Sequence, residues 1–206
     1  MKTLICLLAV LAAAGVPAFA DANLVTNGGF DSGCSDWTGV PTSFNTTNYN
    51  ECVTALPTYY PNALQNGDPG GFAVLNDNPR VLTSMSQAIT GLTVGTQYQL
   101  TWDMASAYSC CSSSVVPGAG AQIDGNLWQF IVPDLQPWTA YSETFTYAGG
   151  SNVLTFSAQR NGTDTDAAFD NISLSAVPEP STPLLLGLFL GLAAGLGGAL
   201  RRLRVI

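Results

Sequence analysis

The fold class that the sequence predicts is all-β, an antiparallel sandwich held between two hydrophobic end segments. Alternating apolar and polar residues recur through the middle of the chain, and no helical periodicity of useful length appears there. Charged residues make up only 10% of the 206 residues, and an uncharged apolar run lies near each end. These three observations describe an exported, β-rich protein with hydrophobic ends.

The charge balance excludes several classes of function. Between residues 21 and 177 the chain carries thirteen carboxylates but only Arg80 and Arg160 as cations, which gives a formal charge of −11. A phosphate-binding surface needs clustered Lys or Arg, so no nucleic acid is expected as a partner. Histidine is absent, which removes Ser-His-Asp and Cys-His catalysis and histidine-ligated zinc or haem.

The first segment, residues 1–20, is interpreted as a signal peptide. An uncharged apolar run follows Lys2. Ala18 and Ala20 then give the small-x-small pattern that signal peptidases accept. Cleavage after Ala20 is therefore expected.

A second apolar run, residues 184–200, predicts a single transmembrane helix. A membrane-spanning helix needs roughly 17–25 residues, and this run is just long enough. The tail that follows, residues 201–206, contains three arginines. Because positive charge stays on the cytoplasmic side, the β domain is expected on the outer side of the inner membrane, in the periplasm.

A stiff segment, residues 177–183, precedes this helix and begins with Val177, Pro178, Glu179 and Pro180. The two prolines around a glutamate leave it without helix potential. Val-Pro-Glu-Pro, a glycine-rich apolar span and terminal arginines together resemble the PEP-CTERM sorting signal. The resemblance implies export in a diderm bacterium, processing by an exosortase and association with extracellular polysaccharide production. The helix would then be a temporary anchor.

The middle of the chain, residues 21–176, is predicted to be one β domain of about eight or nine short strands. Asp124, Gly125 and Asn126 lie between two apolar runs and indicate a hairpin turn. Two strands show the alternation most clearly, with the following residues on one face: Tyr98, Leu100, Trp102 and Met104 in the first, and Leu154, Phe156 and Ala158 in the second.

Three segments of this domain carry a family resemblance. Residues 23–33, with Trp37 shortly after, resemble the opening of galactose-binding-like jelly rolls, the fold of many carbohydrate-binding modules. Residues 169–174 resemble their closing strand, and residues 91–100 their central turn and strand. The resemblance implies an antiparallel jelly-roll sandwich, flanked here by the signal peptide and the C-terminal transmembrane helix. Carbohydrate binding follows only by analogy, since a fold does not fix a function.

Four cysteines remain after signal removal: Cys34, Cys52, Cys110 and Cys111. An even number in an exported chain indicates two disulfides, with three possible pairings. Adjacent cysteines bond each other only through a strained peptide, so we expect Cys110 and Cys111 each to pair with Cys34 or Cys52. A Cys34–Cys52 bond with a vicinal bridge stays open as the alternative.

Aromatic residues in loop-like stretches are candidate ligand contacts. Sugar rings present flat C–H faces, and exposed Trp or Tyr beside carboxylates or amides suits them. Trp37 and Trp102 are instead expected in the core. The candidate ligand-binding residues are Tyr59, Tyr60, Tyr108 and Trp138.

Paired carboxylates are the only catalytic set that the composition leaves open, as in glycoside hydrolysis. None of them lies in a recognisable motif, and acidic residues on exported proteins are usually solvated. The protein is therefore expected not to be an enzyme, with no catalytic residues. The carboxylates considered are Asp103, Asp124, Glu143, Asp164 and Asp166.

A structural Ca²⁺ is expected between the first and last strands. Asp170 alternates with Ile172 and Leu174 and is expected to point toward the core, where an unpaired carboxylate costs several kcal/mol. Asp31 follows the first turn, and Asp68 lies in a loop that offers carbonyl oxygens. Calcium takes six to eight oxygens, so such a set suits it. The resembling carbohydrate-binding modules often place calcium in this way.

The sequence thus predicts a non-catalytic glycan-binding or polysaccharide-associated module of the cell envelope or extracellular matrix. It would be anchored in the inner membrane at first and would reach the outer surface or matrix after processing. The alternatives are a structural surface protein without a small-molecule ligand, self-associating through its sheet edges, and a carboxylate-based glycoside hydrolase.

Overall fold

The computed structural model describes residues 22–39, 51–53, 71–76, 83–108, 116–133, 136–158 and 165–178. The part from Ala22 to Val177 is one compact unit. The predicted signal peptide and C-terminal helix lie outside the described residues. Within the ranges given, no helix has the length and hydropathy needed to cross a membrane.

Nine strands form two antiparallel sheets in the described part of the chain: β1 (Glu51–Val53), β2 (Phe72–Asn76), β3 (Thr83–Ala88), β4 (Gln97–Tyr108), β5 (Val116–Ile123), β6 (Asn126–Val132), β7 (Thr139–Thr146), β8 (Val153–Ala158) and β9 (Thr165–Ala176). The five-stranded sheet has the order β1-β2-β9-β4-β7, and the four-stranded sheet has the order β3-β8-β5-β6.

The connections between these strands define a jelly roll. From β2 to β9 the chain changes sheet at every connection except the β5–β6 hairpin. Two stacked antiparallel sheets with this winding are the double-sheet jelly-roll arrangement. The predicted all-β jelly-roll sandwich is confirmed for this domain.

The core lies between the two sheets and follows the predicted alternation. In β4, Tyr98, Leu100, Trp102 and Met104 are all buried. In β8 the buried residues are Leu154, Phe156 and Ala158, as expected. Burying these apolar faces against each other is the main favourable term that holds the sheets together.

The β5–β6 hairpin confirms the turn that the sequence indicates. Asp124 and Gly125 form the two-residue loop and both have positive φ, 51° and 77°. This is the backbone that type I′ hairpin turns require and that Asp-Gly tolerates. Ile123 and Asn126 close the loop as cross-strand partners.

An N-terminal segment continues the sheet beside β9. The Leu24 N–H donates to the Leu174 carbonyl at 2.8 Å, and the Ile172 N–H donates to the Gly28 carbonyl at 3.0 Å. At the other end of the domain's sequence, the Val177 N–H donates to the Gln97 carbonyl at 2.8 Å. The beginning and the end of the domain are therefore held against the same part of the five-stranded sheet.

The disulfide expectation was wrong for two of the four cysteines. Cys34 bonds Cys52 with Cα atoms 5.4 Å apart, inside the range that a disulfide needs. Cys52 lies in β1, and β1 pairs with β2. Strand β2 flanks β9, and the N-terminal segment that carries Cys34 also lies beside β9. The path of the chain therefore brings Cys34 and Cys52 together, which the spacing of the cysteines in the sequence does not reveal. Cys110 and Cys111 lie outside the described residues.

Candidate functional site

A β-bulge interrupts the pairing of the two central strands of the five-stranded sheet. The β4–β9 register shifts between Thr101 and Asp103, so that Asn171 and Ile172 lie opposite the single residue Trp102. Asn171 has a φ of 50°, a left-handed conformation that Asn tolerates better than most residues. Bulges redirect side chains, and here the Asn171 side chain is exposed on the outer face of the sheet.

The Asn171 amide group connects two facing carboxylates. Asp103 and Asp170 are direct cross-strand partners, and like charges in such positions repel each other. Asn171 Nδ2 donates to Asp103 Oδ2 at 2.9 Å, and the Asn171 backbone N–H donates to Asp170 Oδ1 at 2.7 Å. Asn171 therefore holds both carboxyl groups in fixed positions through one side-chain and one backbone hydrogen bond.

The bulge also corrects the expected orientation of Asp170. Its burial was predicted correctly, because only 1% of the residue is exposed. However, Phe169 belongs to the central core together with Ile172 and Leu174. The extra residue at position 171 changes the alternation, so Asp170 follows the outer face of Ala168 and does not share a face with Ile172.

A cleft lies on this outer face, over β4, β7 and β9. Its volume is about 320 Å³, at the small end of ligand pockets. The Gln99 amide donates to Ser142 Oγ at 2.9 Å and orients that hydroxyl at the edge of the cleft. The lining residues are Thr101, Trp102, Asp103, Ala140, Tyr141, Ser142 and Asn171.

Two aromatic rings support this cleft from the core side. Trp102 and Tyr141 stack with ring centroids 5.5 Å apart and planes 11° apart. Gln136 Nε2 donates to the Tyr141 hydroxyl at 3.1 Å. Near-parallel stacking is a favourable arrangement of aromatic rings, so the cleft has a well-packed aromatic base.

An apolar cluster adjoins the cleft on the same outer face. It consists of Phe72, Val74, Ala105 and Ala168, with Trp138 packed against it. Ala105 lies two residues from Asp103 along β4, a spacing of roughly 7 Å in a strand. The four residues of the cluster are themselves buried, so Trp138 is the part of it that is accessible beside the hydrogen-bonding groups of the cleft.

The loop that carries Trp138 is fixed to β4 by hydrogen bonds. The buried Ser106 hydroxyl donates to the Pro133 carbonyl and accepts from the Gln136 N–H at 2.9 Å. The Trp138 ring then meets Phe72 edge-on, with centroids 5.7 Å apart. Trp138 remains partly exposed, although its Nε1 is buried and has no hydrogen-bond partner in the described structure.

The other predicted ligand residues are only partly described. Tyr59 and Tyr60 lie outside the described residues, and Tyr108 is described only as a backbone position at the end of β4. The sequence does not reveal the cleft itself. In the sequence, Asp103 stands out only as a catalytic candidate. The one sequence signal for Asn171 is that an Asn occurs inside a predicted strand. In the structure, its positive φ marks the bulge.

Two further candidate carboxylates, Asp124 and Glu143, lie away from the cleft. Asp124 accepts hydrogen bonds from the backbone N–H groups of Ala148 and Gly150, and thereby holds that loop on the β5–β6 hairpin. Glu143 pairs across the sheet with Leu100 and shares its inner face. Neither carboxylate contributes to the cleft, and the side chains of Asp164 and Asp166 lie outside the described set.

The calcium site expected from Asp31, Asp68 and Asp170 stays a prediction. A Cβ added to Gly29 would lie 3.7 Å from Asp31 Oδ2 and 4.0 Å from Asn171 Oδ1. The Asp31 carboxylate and the Asn171 amide oxygen therefore both border the first turn. Asp68 is not in the described ranges, and those ranges contain no group of three or more Asp, Glu, Cys or His residues placed to hold a metal.

Comparisons with known proteins support the fold. No protein-family profile matches the chain, and no curated protein matches it in sequence. Solved structures do match. The xylan-binding domain CBM22-1 from Paenibacillus barcinonensis is 12% identical, with a TM-score of 0.50, 79% of this chain covered and 99% of that domain.

Two other solved structures match with the same TM-score. The Stig cyclase Fisc from Fischerella sp. TAU is 16% identical, with 78% of this chain and 100% of that chain covered. The enzymatically active domain of tailspike protein 4 from bacteriophage CBA120 is 14% identical, with 75% of this chain covered. This chain spans only 21% of the tailspike's length. The likeness establishes the jelly-roll fold, and function has to be argued from the site.

Proposed function

We propose that the protein binds an extracellular polysaccharide without catalysis, through the outer face of its five-stranded sheet. The observation that carries this proposal is the juxtaposition of the cleft that holds Asp103 and Asn171 with the partly exposed ring of Trp138. A sugar chain presents both hydroxyl groups and C–H faces along its length. Hydrogen-bonding groups next to an accessible aromatic ring match that pattern.

The polar half of the site offers both donors and acceptors. The Asp103 carboxylate accepts only, whereas the Asn171 amide and the hydroxyls of Thr101 and Ser142 donate as well as accept. Sugar hydroxyl groups also do both, so they can pair with such a set. Because the Asn171 amide and the Asp103 carboxylate are already hydrogen-bonded to each other, both are held in place before a ligand arrives.

The charge of the domain selects against acidic polysaccharides. The described residues that line the cleft include the Asp103 carboxylate and no lysine or arginine, and the chain between residues 21 and 177 has a formal charge of −11. Polyuronates would therefore be repelled both locally and at long range. The ligand class that remains is a neutral polysaccharide.

The site supports binding better than hydrolysis. Glycoside hydrolysis uses two carboxyl groups that flank the scissile bond. Asp103 and Asp170 are neighbours across the sheet, but Asp170 is 1% exposed and cannot reach a substrate. Asp103 is the one carboxylate among the described residues that line the cleft, and one carboxylate there is suited to hydrogen bonding.

Removing the polar pair should weaken binding to neutral polysaccharide. We expect Asp103→Ala and Asn171→Gly each to lower affinity about 10-fold or more, since a hydrogen bond to a charged group contributes about 1.5–3 kcal/mol. Glycine is the choice at position 171 because it keeps the positive φ. Affinity electrophoresis of residues 22–177 in xylan, galactan and β-glucan gels is the measurement.

The matched control is Gln122→Ala, an exposed position on the four-stranded sheet, which should leave migration unchanged. Binding to a polyuronate gel, or equal retardation of all variants, would contradict the proposal. Release of reducing sugar from any of the gels would show that the protein is a hydrolase.

The export route is a second part of the proposal. The support is in the sequence: residues 1–20 have signal-peptide character, and the motif Val177, Pro178, Glu179 and Pro180 precedes the apolar run of residues 184–200. Processing near Val177 to Ser181 would then remove the helix and release the domain to the outer surface or matrix. Intact-mass measurement of protein from the native host tests this. A mature form that still ends in Ile206 would contradict it.

A structural Ca²⁺ at the first turn completes the proposal. Its support is the placement of the Asp31 and Asn171 side-chain oxygens around Gly29, next to the buried Asp170. We expect calcium to raise the thermal midpoint of residues 22–177 relative to the same protein in chelator, because a ligand that binds only the folded state stabilises it. Asp31→Ala should abolish that difference. Equal midpoints for the unmodified protein with and without calcium would exclude the ion.

A further inference from the structure

The two open sheets have four edge strands, and three of them are protected against pairing with another chain. Exposed edges promote association, and proteins limit it with short edge strands, inward-pointing charges or covering segments. Strand β1 has only three residues. Strand β7 carries Glu143 on its inner face. Strand β3 is covered where Thr38 pairs with Ser86.

In the part of the chain that the structure describes, the fourth edge, β6, has none of these protections. Its seven residues include no charge and no proline. Within the described residues nothing pairs with its second edge. Leu127 and Ile131 are 52% and 73% exposed on its outer face. A long, uncharged strand of this kind is a site for β-sheet extension.

The hairpin geometry determines which backbone groups of β6 face outward. Ile123 and Asn126 close the two-residue turn, and in such hairpins the closing pair exchanges both hydrogen bonds. Backbone groups alternate sides along a strand, so the even-numbered residues of β6 bond to β5. The N–H and C=O groups of Leu127, Gln129 and Ile131 therefore point to the free edge.

We propose that two copies of this chain pair antiparallel through β6 about a two-fold axis at Gln129, giving one continuous eight-stranded sheet. With Gln129 opposite its own copy, Leu127 of each chain lies opposite Ile131 of the other. The two exposed apolar side chains thus cover each other on the outer face, and the two glutamine amides meet at the centre. A two-fold contact needs this kind of self-complementary surface.

Charge limits which surfaces of two copies can meet. Each domain has a formal charge of −11 between residues 21 and 177, so most surfaces of two copies repel each other. The uncharged strand β6 is where two such domains can approach without placing carboxylates in the contact. The apolar cross-strand pairs then add their own stabilisation.

A cysteine at the axis tests the pairing in the full chain. Cα atoms of a hydrogen-bonded antiparallel pair lie about 5.5 Å apart, which suits a disulfide. Gln129→Cys in the full chain, expressed in a diderm host and oxidised in intact cells, should give at least about 10-fold more cross-linked dimer than Gln122→Cys. Gln122 faces the same side of the sheet but lies on the interior strand β5. A non-reducing gel and identification of the 129–129 peptide are the readouts.

Charges placed on the contact should remove the product. Adding Leu127→Lys and Ile131→Lys to the Gln129→Cys chain is expected to return cross-linking to the level of the unmodified chain, which also controls for the native cysteines. Both positions are exposed, so the fold is retained. Absence of a 129–129 peptide, equal yields from positions 122 and 129, or a cross-link from residue 129 to a different protein or segment would each overturn the proposal.

Discussion

Replacing Trp102 with alanine is expected to lower the free energy of unfolding of residues 22–177 by about 4 kcal/mol, the largest effect of any single core truncation here. Trp102 is 1% exposed. Its ring meets Phe130 at 5.9 Å, Phe156 at 5.7 Å and Tyr141 at 5.5 Å between centroids. Alanine would leave a cavity between the sheets and remove the support beneath the cleft. For a domain with about 5–15 kcal/mol of total stability, this is a large fraction.

The matched variant for this prediction is Trp102→Phe. The indole Nε1 of Trp102 is buried without a hydrogen-bond partner in the described structure, so phenylalanine removes an unsatisfied donor while it keeps an aromatic ring. Its cost should be clearly smaller, about 1–2 kcal/mol. Val94→Ala at an exposed turn should change stability by less than about 0.5 kcal/mol. Urea unfolding followed by circular dichroism measures all three. Equal losses from alanine and phenylalanine would refute the cavity explanation.

Replacing Gly28 with alanine is expected to cost about 2–4 kcal/mol, through backbone contact rather than lost burial. A Cβ at this position would lie 2.0 Å from the Ile172 carbonyl oxygen and 2.9 Å from its carbon. Neither atom belongs to a flexible side chain, so the N-terminal segment would have to move away from β9. That movement would also stretch the hydrogen bond from the Ile172 N–H to the Gly28 carbonyl.

The neighbouring glycine provides the control. A Cβ at Gly29 would meet its nearest atoms at 3.7 and 4.0 Å, which is ordinary van der Waals contact. Gly29→Ala should therefore be nearly neutral in the same unfolding assay. A loss from Gly29→Ala as large as that from Gly28→Ala would show that the turn, and not the contact with β9, is responsible.

The fold was predictable because its strands bury one face each. The alternation around Leu100 and Phe156 identifies the inner face directly, and Asp124-Gly125 identifies the hairpin. The orientation of Asp170 was not predictable by the same rule. A period of two holds only while no residue is inserted, and the bulge at Asn171 shifts it by one.

The candidate site was harder to predict from the sequence, because its residues come from distant parts of the chain. Asp103 and Asn171 are 68 residues apart, and they meet only because β4 and β9 are neighbours in the sheet. Trp138 is recognisable in the sequence as a loop aromatic, but the apolar cluster beneath it brings together β2, β4 and β9. Cys34 and Cys52 illustrate the same limit, since strand pairing decides which cysteines meet.

The first and last segments of the domain are in contact, so the same fold could be built with its strands in a different order along the chain. Leu24 and Leu174 are joined by a hydrogen bond, so a short linker between residues 22 and 177 would close the backbone into a ring. Such a ring could be opened within the exposed turn at residues 93–96 without interrupting a strand, because closely spaced ends are what circular permutation requires. The architecture therefore tolerates gene rearrangement, and insertion of the whole domain into a surface loop of another protein, with both connections leaving side by side.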